Sequence, residues 1–440
     1  MNAQSQKMKV LVCSVNAWNS RVGDNTFPLL LSKLPSKDVA CLFLREDQPD
    51  STAADHYFRI SEPRVIKSLL KRRLPTGERV IRTDAANKTA DAATHDRLYT
   101  SEKKQHFYYA KLFAREAIWK LGKWRSDALD AFIDEFNPDI VLYEMSRYIH
   151  LNRIVQYVLK RTGAVGVGCF WDDTFTYKQE RGLGYKALRF FQRKSLKKLA
   201  KHTKEFFAIT PKTKSEADAF FKINCTVLTK PIAMQNERTA PACEAPLKML
   251  YTGNLEIGRE KAMLSLIEAL EQINRDEVQI RLDIYTKTSL SETYVKAYNT
   301  KFSALHAPIP QEEVLKLQSR SDVLLFVEAL DPKKKIARLS FSTKITDYYA
   351  AGKCIFAIGN ADLAPMELFE SEESAIVATS EEEIREGVKA LLDTETVLAF
   401  ADKAYFVGQE KYLPAKVSEV FYSTLATACE SPRVAEIGPI

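Results

Sequence analysis

The seven cysteines, Cys13, Cys41, Cys169, Cys225, Cys243, Cys354 and Cys429, stand singly and are odd in number, with no C-x-x-C pair in the chain. That excludes a disulfide framework and a zinc site of the usual spacing, and leaves most of them as small apolar core residues. None of the six histidines forms an H-x-x-x-H pair, so no metal site is expected. No G-x-S-x-G turn occurs, which removes the covalent serine mechanism. No uncharged run approaches the length that spans a bilayer. The opening MNAQSQKMKVLVCSV passes from a polar lead straight into a strand-like run, without a small-residue cleavage site. A soluble protein that stays in the cytoplasm is the expectation.

What is present is the balance of a globular chain, 45% hydrophobic and 28% charged residues, which argues against disorder. At 440 residues it exceeds one ordinary core, and two domains of roughly two hundred residues each are expected. The net charge of +7 gathers in clusters such as Lys71-Arg72-Arg73 and the run from Arg189 to Lys204. Basic clusters suit phosphate, nucleic acid or an anionic membrane surface. No nucleic-acid recognition module accompanies them, so no nucleic-acid partner is expected.

Short apolar runs recur at Lys9–Val15, Val39–Leu44, Asp139–Tyr143, Val165–Phe170 and Phe206–Ile209, separated by longer amphipathic stretches. The alternation predicts βαβ units around a parallel sheet. Residues 64–136 turn helical in pattern and read as an insertion in a first domain covering 1–240. The linker-like stretch Asn236–Pro246 marks the boundary. A second domain, 241–406, repeats the alternation at Leu247–Thr252, Val278–Tyr285, Asp322–Val327, Cys354–Ile358 and Ala375–Ala378, with no visible sequence repeat. A final helical run, 407–428, is expected to pack back on the first domain, and 429–440 to form a tail.

Doubly wound α/β domains bind ligands at the carboxyl ends of their strands, so the strand-to-helix turns carry the chemistry. In RLSFSTKITDYYAAGKCIFAIG, Arg338 to Gly359, Ser342 reads as an N-cap, Thr343 to Ala351 as a helix and Gly352 as its stop. The helix start with Ser342, Thr343 and Lys344 is an anion site by its free N–H groups and macrodipole. Asp347 lies one turn of about 5.4 Å deeper on the same face, where a carboxylate would meet a ribose adjoining the phosphate. In YTGNLEIGREKAMLSLIEAL, Tyr251 to Leu270, Gly253 and Asn254 form a turn that admits close backbone approach, and Arg259, then Lys261, are the candidates to clamp phosphate oxygens. In CFWDDTFTYK, a buried strand ends in Asp172 and Asp173. Either carboxylate could stabilise a developing positive charge or accept a proton, or could simply cap the next segment of chain. The turn Ser14–Phe27 places Gly23, Asp24 and Asn25 ahead of a helix, a position that in the GT-B glycosyltransferases, which this chain resembles, implies an acceptor or phosphate loop.

These segments resemble the GT-B glycosyltransferases, particularly the large retaining family 4 group. S-F-S-T-K-I-T-D-Y-Y-A-A-G-K aligns without gaps with that family's donor-binding segment, Asp347 taking the place of its second glutamate. Leu339 stands where the family carries the first. The family's Gly-x-Leu turn followed by a basic residue is matched at Gly253 and Arg259. The resemblance implies a GT-B architecture of two doubly wound Rossmann-like domains facing across a cleft. It implies a hexosyltransferase-like, retaining, metal-independent transfer from a UDP- or GDP-sugar to a glycan or lipid-linked acceptor, in surface polysaccharide or glycoconjugate synthesis. The nucleotide-sugar would be a substrate, and no cofactor is implied. The absence of any Asp-x-Asp motif agrees with diphosphate binding by cations and a helix end. Two other readings are a nucleotide-sugar epimerase and a non-catalytic scaffold subunit of a transferase complex, the latter suggested by Leu339. Leu188–Phe207, LRFFQRKSLKKLAKHTKEFF, reads first as a core-packed surface helix and second as one resting peripherally on an anionic inner membrane.

Overall fold

The structure, a computed structural model, describes residues 8–19, 26–71, 73–83, 105–180, 182–232 and 238–430. The chain divides into two units. The first holds 1–208, 214–228 and 420–440, and the second 209–213 and 229–419.

The first unit is built on an eight-stranded sheet: β1 (Val10–Cys13), β2 (Val39–Phe43), β3 (His56–Ile60), β4 (Gly77–Val80), β5 (Ile140–Glu144), β6 (Val165–Phe170), β7 (Glu205–Ala208) and β8 (Thr226–Val227), in the order β4-β3-β2-β1-β5-β6-β7-β8. VLVC in β1 and VGVGCF in β6 are buried along their whole length, because helices cover both faces of a parallel sheet. Val10 pairs with Val39 on one side and Ile140 on the other, so β1 is where the strand order turns. Among the described strands, only β3 and β4 run antiparallel.

That pair corrects the expectation of a purely helical 64–136. The stretch contains a strand at Gly77–Val80 between the helices Glu62–Ser68 and Gln105–Leu121, followed by a helix at Asp127–Phe136. GERV lacks an apolar run because it is an edge strand whose Glu78 is engaged by Arg59 and, at 2.9 Å, by Arg64. Residues 84–104 lie outside the described residues.

The second unit carries a six-stranded, all-parallel sheet: β9 (Leu247–Thr252), β10 (Ile280–Tyr285), β11 (Ser303–His306), β12 (Val323–Val327), β13 (Cys354–Ile358) and β14 (Ile376–Ala378), ordered β11-β10-β9-β12-β13-β14. Alternate residues serve opposite cores. Met249 and Tyr251 join Leu282, Val323 and the Arg259–Ile273 helix on one face, while Leu250 joins Leu324, Ile345, Tyr348 and Tyr349 on the other. The order reverses between β9 and β12, and the turns leaving those two strands are therefore neighbours.

The closing helical run is two helices, Thr394–Lys411 and Pro414–Glu430, interrupted before Pro414. The second belongs to the first unit from Val420 onward. There Phe421 lies 5.7 Å from Phe207 and the Tyr422 hydroxyl donates to the Leu30 carbonyl at 3.0 Å. All seven cysteines are free thiols. Burial pushes Cys13 up to about 12, which suits packing rather than reactivity.

Candidate anion site at the β9/β12 switch point

The turn after β9 is drawn inward by three hydrogen bonds. Gly253 N donates to the Tyr285 carbonyl at 2.9 Å, the Tyr251 hydroxyl to the Asn254 carbonyl at 2.6 Å, and Leu255 N to Thr288 Oγ1 at 2.9 Å. Ile257 and Gly258 come next with φ of 63° and 95°, and the chain then enters the Arg259–Ile273 helix. A Cβ on Gly258 would fall 2.9 Å from the Cβ of Ala329, so the turn presses against the residues leaving β12.

This contact brings Arg259 to Glu328, the first residue after β12. Nη2 donates to Oε1 at 2.7 Å and Nε to Oε2 at 2.9 Å, a fork-to-fork pair in which both side chains are largely buried. Glu328 has no local motif in the sequence. Its position directly after a strand at the order reversal is the one signal that marks it.

The Thr343–Ala351 helix supplies the other cation. Ser342 caps it, its Oγ accepting from Lys344 N at 3.4 Å. The Lys344 side chain lies across Gly253, where a Cβ would stand 2.0 Å from Nζ, and the ammonium sits 4.6 Å from the centroid of the Tyr251 ring. Among the described residues no side chain hydrogen-bonds to that ammonium. Desolvation first, and the Arg259 charge second, push Lys344 down to about 8 against partial relief from Glu328. Arg259 and Lys344 set against Glu328 leave one positive charge uncompensated. A desolvated lysine beside a second cation, over a glycine turn and at a helix start, is an arrangement that an anion with several oxygens would relieve.

Asp347 lies one turn along the same helix, half-buried. Burial raises its pKa, opposed by Lys230, and among the described residues nothing donates a hydrogen bond to it. Thr343 and Lys261 are exposed. The Leu339 side chain is 0% exposed, so it presents neither charge nor surface to a ligand.

In the first unit, Asp172 and Asp173 come directly after β6. Asp173 is buried and accepts from Thr176 N at 2.9 Å with one oxygen and from the Thr176 hydroxyl with the other, so its carboxylate closes the 173–176 turn. Asp172 is half-buried and accepts from Asp173 N at 2.8 Å. Trp171 meets Phe27 with ring centroids 5.8 Å apart, which joins this turn to the segment after β1. Gly23, Asp24 and Asn25 lie outside the described residues.

Two doubly wound units have counterparts among solved structures. That of Anabaena HepE in complex with UDP-glucose is similar with a TM-score of 0.56 at 12% identity, over 96% of this chain and 100% of that one. The lipopolysaccharide outer core galactosyltransferase WaaB matches at 0.58 and 12%, over 96% and 99%. The trehalose-6-phosphate protein of E. coli bound with UDP-2-fluoro glucose matches at 0.58 and 11%, over 96% and 100%. The fold is GT-B.

Within this GT-B chain, residues 259–416 match the family described as glycosyl transferase-like. The matched segment begins at Arg259 and contains Glu328, Lys344 and Asp347. Among curated proteins none matches the sequence.

Proposed function

We propose that this GT-B chain is a glycosyltransferase that uses a UDP- or GDP-sugar. The observation that carries the reading is the desolvated ammonium of Lys344, without a hydrogen-bond partner among the described residues, beside Arg259, over Gly253, at the β9/β12 reversal. A diphosphate supplies the oxygens that this ammonium lacks, and Asp347 is placed to accept from ribose hydroxyls one turn away. Ser342, Thr343, Asn254 and Lys261 complete the donor side. HepE was solved with UDP-glucose, and WaaB is named a galactosyltransferase, which supports a hexosyl donor.

In the transfer, the bond from the anomeric carbon to the diphosphate oxygen breaks, and the nucleoside diphosphate departs with the electron pair. Lys344 and Arg259 stabilise the charge that grows on it, which is the task a divalent metal performs elsewhere. The acceptor hydroxyl bonds to the anomeric carbon and gives up its proton. Asp172, whose carboxylate is less enclosed than that of Asp173, is the group proposed to accept that proton or steady the positive sugar. The proposed acceptor is a glycan or lipid-linked glycan, the setting surface polysaccharide synthesis in the cytoplasm, and the outcome retaining and metal-independent.

Slow release of UDP or GDP from the matching sugar nucleotide, without acceptor, tests the reading. Release that Lys344→Met and Asp172→Asn each lower at least about ten-fold is expected. No tight binding of any sugar nucleotide would instead point to the scaffold reading, which the buried Leu339 favours. An epimerase would interconvert the sugar and release no nucleotide.

A further inference from the structure

The Leu183–Ala200 helix has no acidic residue in its eighteen positions. One face is spent on the first unit, where Tyr185, Leu188, Leu196 and Leu199 are buried. The opposite face leaves Leu183 at 86%, Phe190 at 56% and Phe191 at 50% exposure, interleaved with the exposed Lys186, Lys194, Lys197 and Lys198. The neighbouring Gln105–Leu121 helix continues this surface, since Phe113 meets Phe191 with centroids 6.1 Å apart and Tyr109 meets Tyr185 at 6.5 Å. Its exposed residues Ala110, Ala114, Ala117 and Leu121 fall at helical spacing, flanked by Lys111 and Lys120. The single acid of that helix, Glu116, is turned away: it accepts from Ile149 N and His150 N, each at 3.0 Å, and meets His150 Nδ1 at 2.9 Å.

We infer that these two helices form a docking surface for an anionic lipid bilayer, lying flat on it without crossing. Among the described residues no helix is long and apolar enough to span a membrane. Exposed phenylalanines and leucines gain nothing from water, and enter the headgroup boundary while lysine stems carry their ammonium groups back to the phosphates. The charge complements an anionic leaflet at every exposed ionisable position named, and the nearby half-buried Glu180 accepts from the Tyr109 hydroxyl. A nucleic acid would use the lysines but leave the Leu183 and Leu121 side chains unexplained.

This surface does not depend on the sugar-transfer reading, and its test uses no donor. The full chain is sedimented with vesicles of phosphatidylcholine containing phosphatidylglycerol, and with vesicles of phosphatidylcholine alone. Partition onto the anionic vesicles at least about ten-fold above the neutral ones, weakened by salt, is expected. Phe190→Ser with Phe191→Ser, and separately Lys194→Glu with Lys198→Glu, should each reduce it about ten-fold or more while the circular-dichroism melt stays unchanged. Equal partition of wild type and both double variants would overturn the inference. So would wild-type self-association that Phe190→Ser with Phe191→Ser abolishes, or tighter retention on RNA than on the vesicles.

Discussion

Arg259 meets Glu328 through two parallel hydrogen bonds, Nη2 to Oε1 at 2.7 Å and Nε to Oε2 at 2.9 Å, and so joins the first turn of a helix to the end of β12. The pair holds the guanidinium beside Lys344 before any ligand arrives. Because both partners are largely shielded from water, removing either leaves the other buried without its counter-charge. The single changes Arg259→Ala and Glu328→Ala should each destabilise the chain, and the double mutant should lose less than their sum. A coupling of about 1–3 kcal/mol from a denaturant-unfolding cycle is expected. A coupling near zero would show the two side chains acting independently.

The pH dependence of Lys344 has a defined sign. Its folded value of about 8 lies below the ordinary lysine value of 10.5, so between those limits the unfolded chain holds a proton that the folded chain has lost. This residue's contribution therefore makes the ligand-free protein more stable as pH rises through that window. Nucleotide affinity runs the opposite way, because the neutral amine no longer attracts a diphosphate. Titration calorimetry in buffers of different ionisation enthalpy should show proton uptake on UDP or GDP binding near pH 8, and none in Lys344→Met.

Gly253 keeps the space that the lysine head occupies. An added methyl would collide with Nζ at 2.0 Å and Cε at 2.7 Å, and a flexible side-chain end can swing away from it. Gly253→Ala should thus cost only about 1 kcal/mol of stability, including the strain of a φ near +154°, yet displace the ammonium and weaken nucleotide binding at least about ten-fold. Unchanged affinity would separate Lys344 from the ligand.

The two adjacent aspartates should part company. Asp173→Ala removes both acceptors of the 173–176 turn and strands a buried N–H, at a cost of about 1–3 kcal/mol in chemical denaturation. Asp172→Ala removes the acceptor of Asp173 N, and should cost less stability than Asp173→Ala while lowering turnover. Matching stability losses in the two variants would assign both carboxylates to the turn.

Much of the fold is legible in the sequence because strands of a parallel sheet covered on both faces are continuous apolar runs. Val165–Phe170, Leu247–Thr252 and Cys354–Ile358 can be read to the residue. The strands that escape such a reading, HYFRI, GERV, SALH and the two-residue β8, carry polar or charged side chains into the ladder and show no such run. At the candidate site, Gly253, Arg259 and Lys344 can be named from cap and turn chemistry, and the fold brings them together. Glu328 cannot be named, since its meaning arises from the adjacency of β9 and β12, which no local pattern encodes. Asp173 reads in the sequence either as a reactive group or as a cap for the next segment, and in the fold its carboxylate accepts from the threonine three residues on.

The account stands on a cationic site at the β9/β12 reversal that grips a nucleoside diphosphate. Calorimetric titration of UDP and of GDP into the full chain at neutral pH, beside Lys344→Met, addresses it most directly. Saturable binding of one of the two nucleotides at a single site, weakened at least about ten-fold by the substitution, is the predicted result. Binding of equal strength in both proteins, or none of either nucleotide to the wild type, would contradict it.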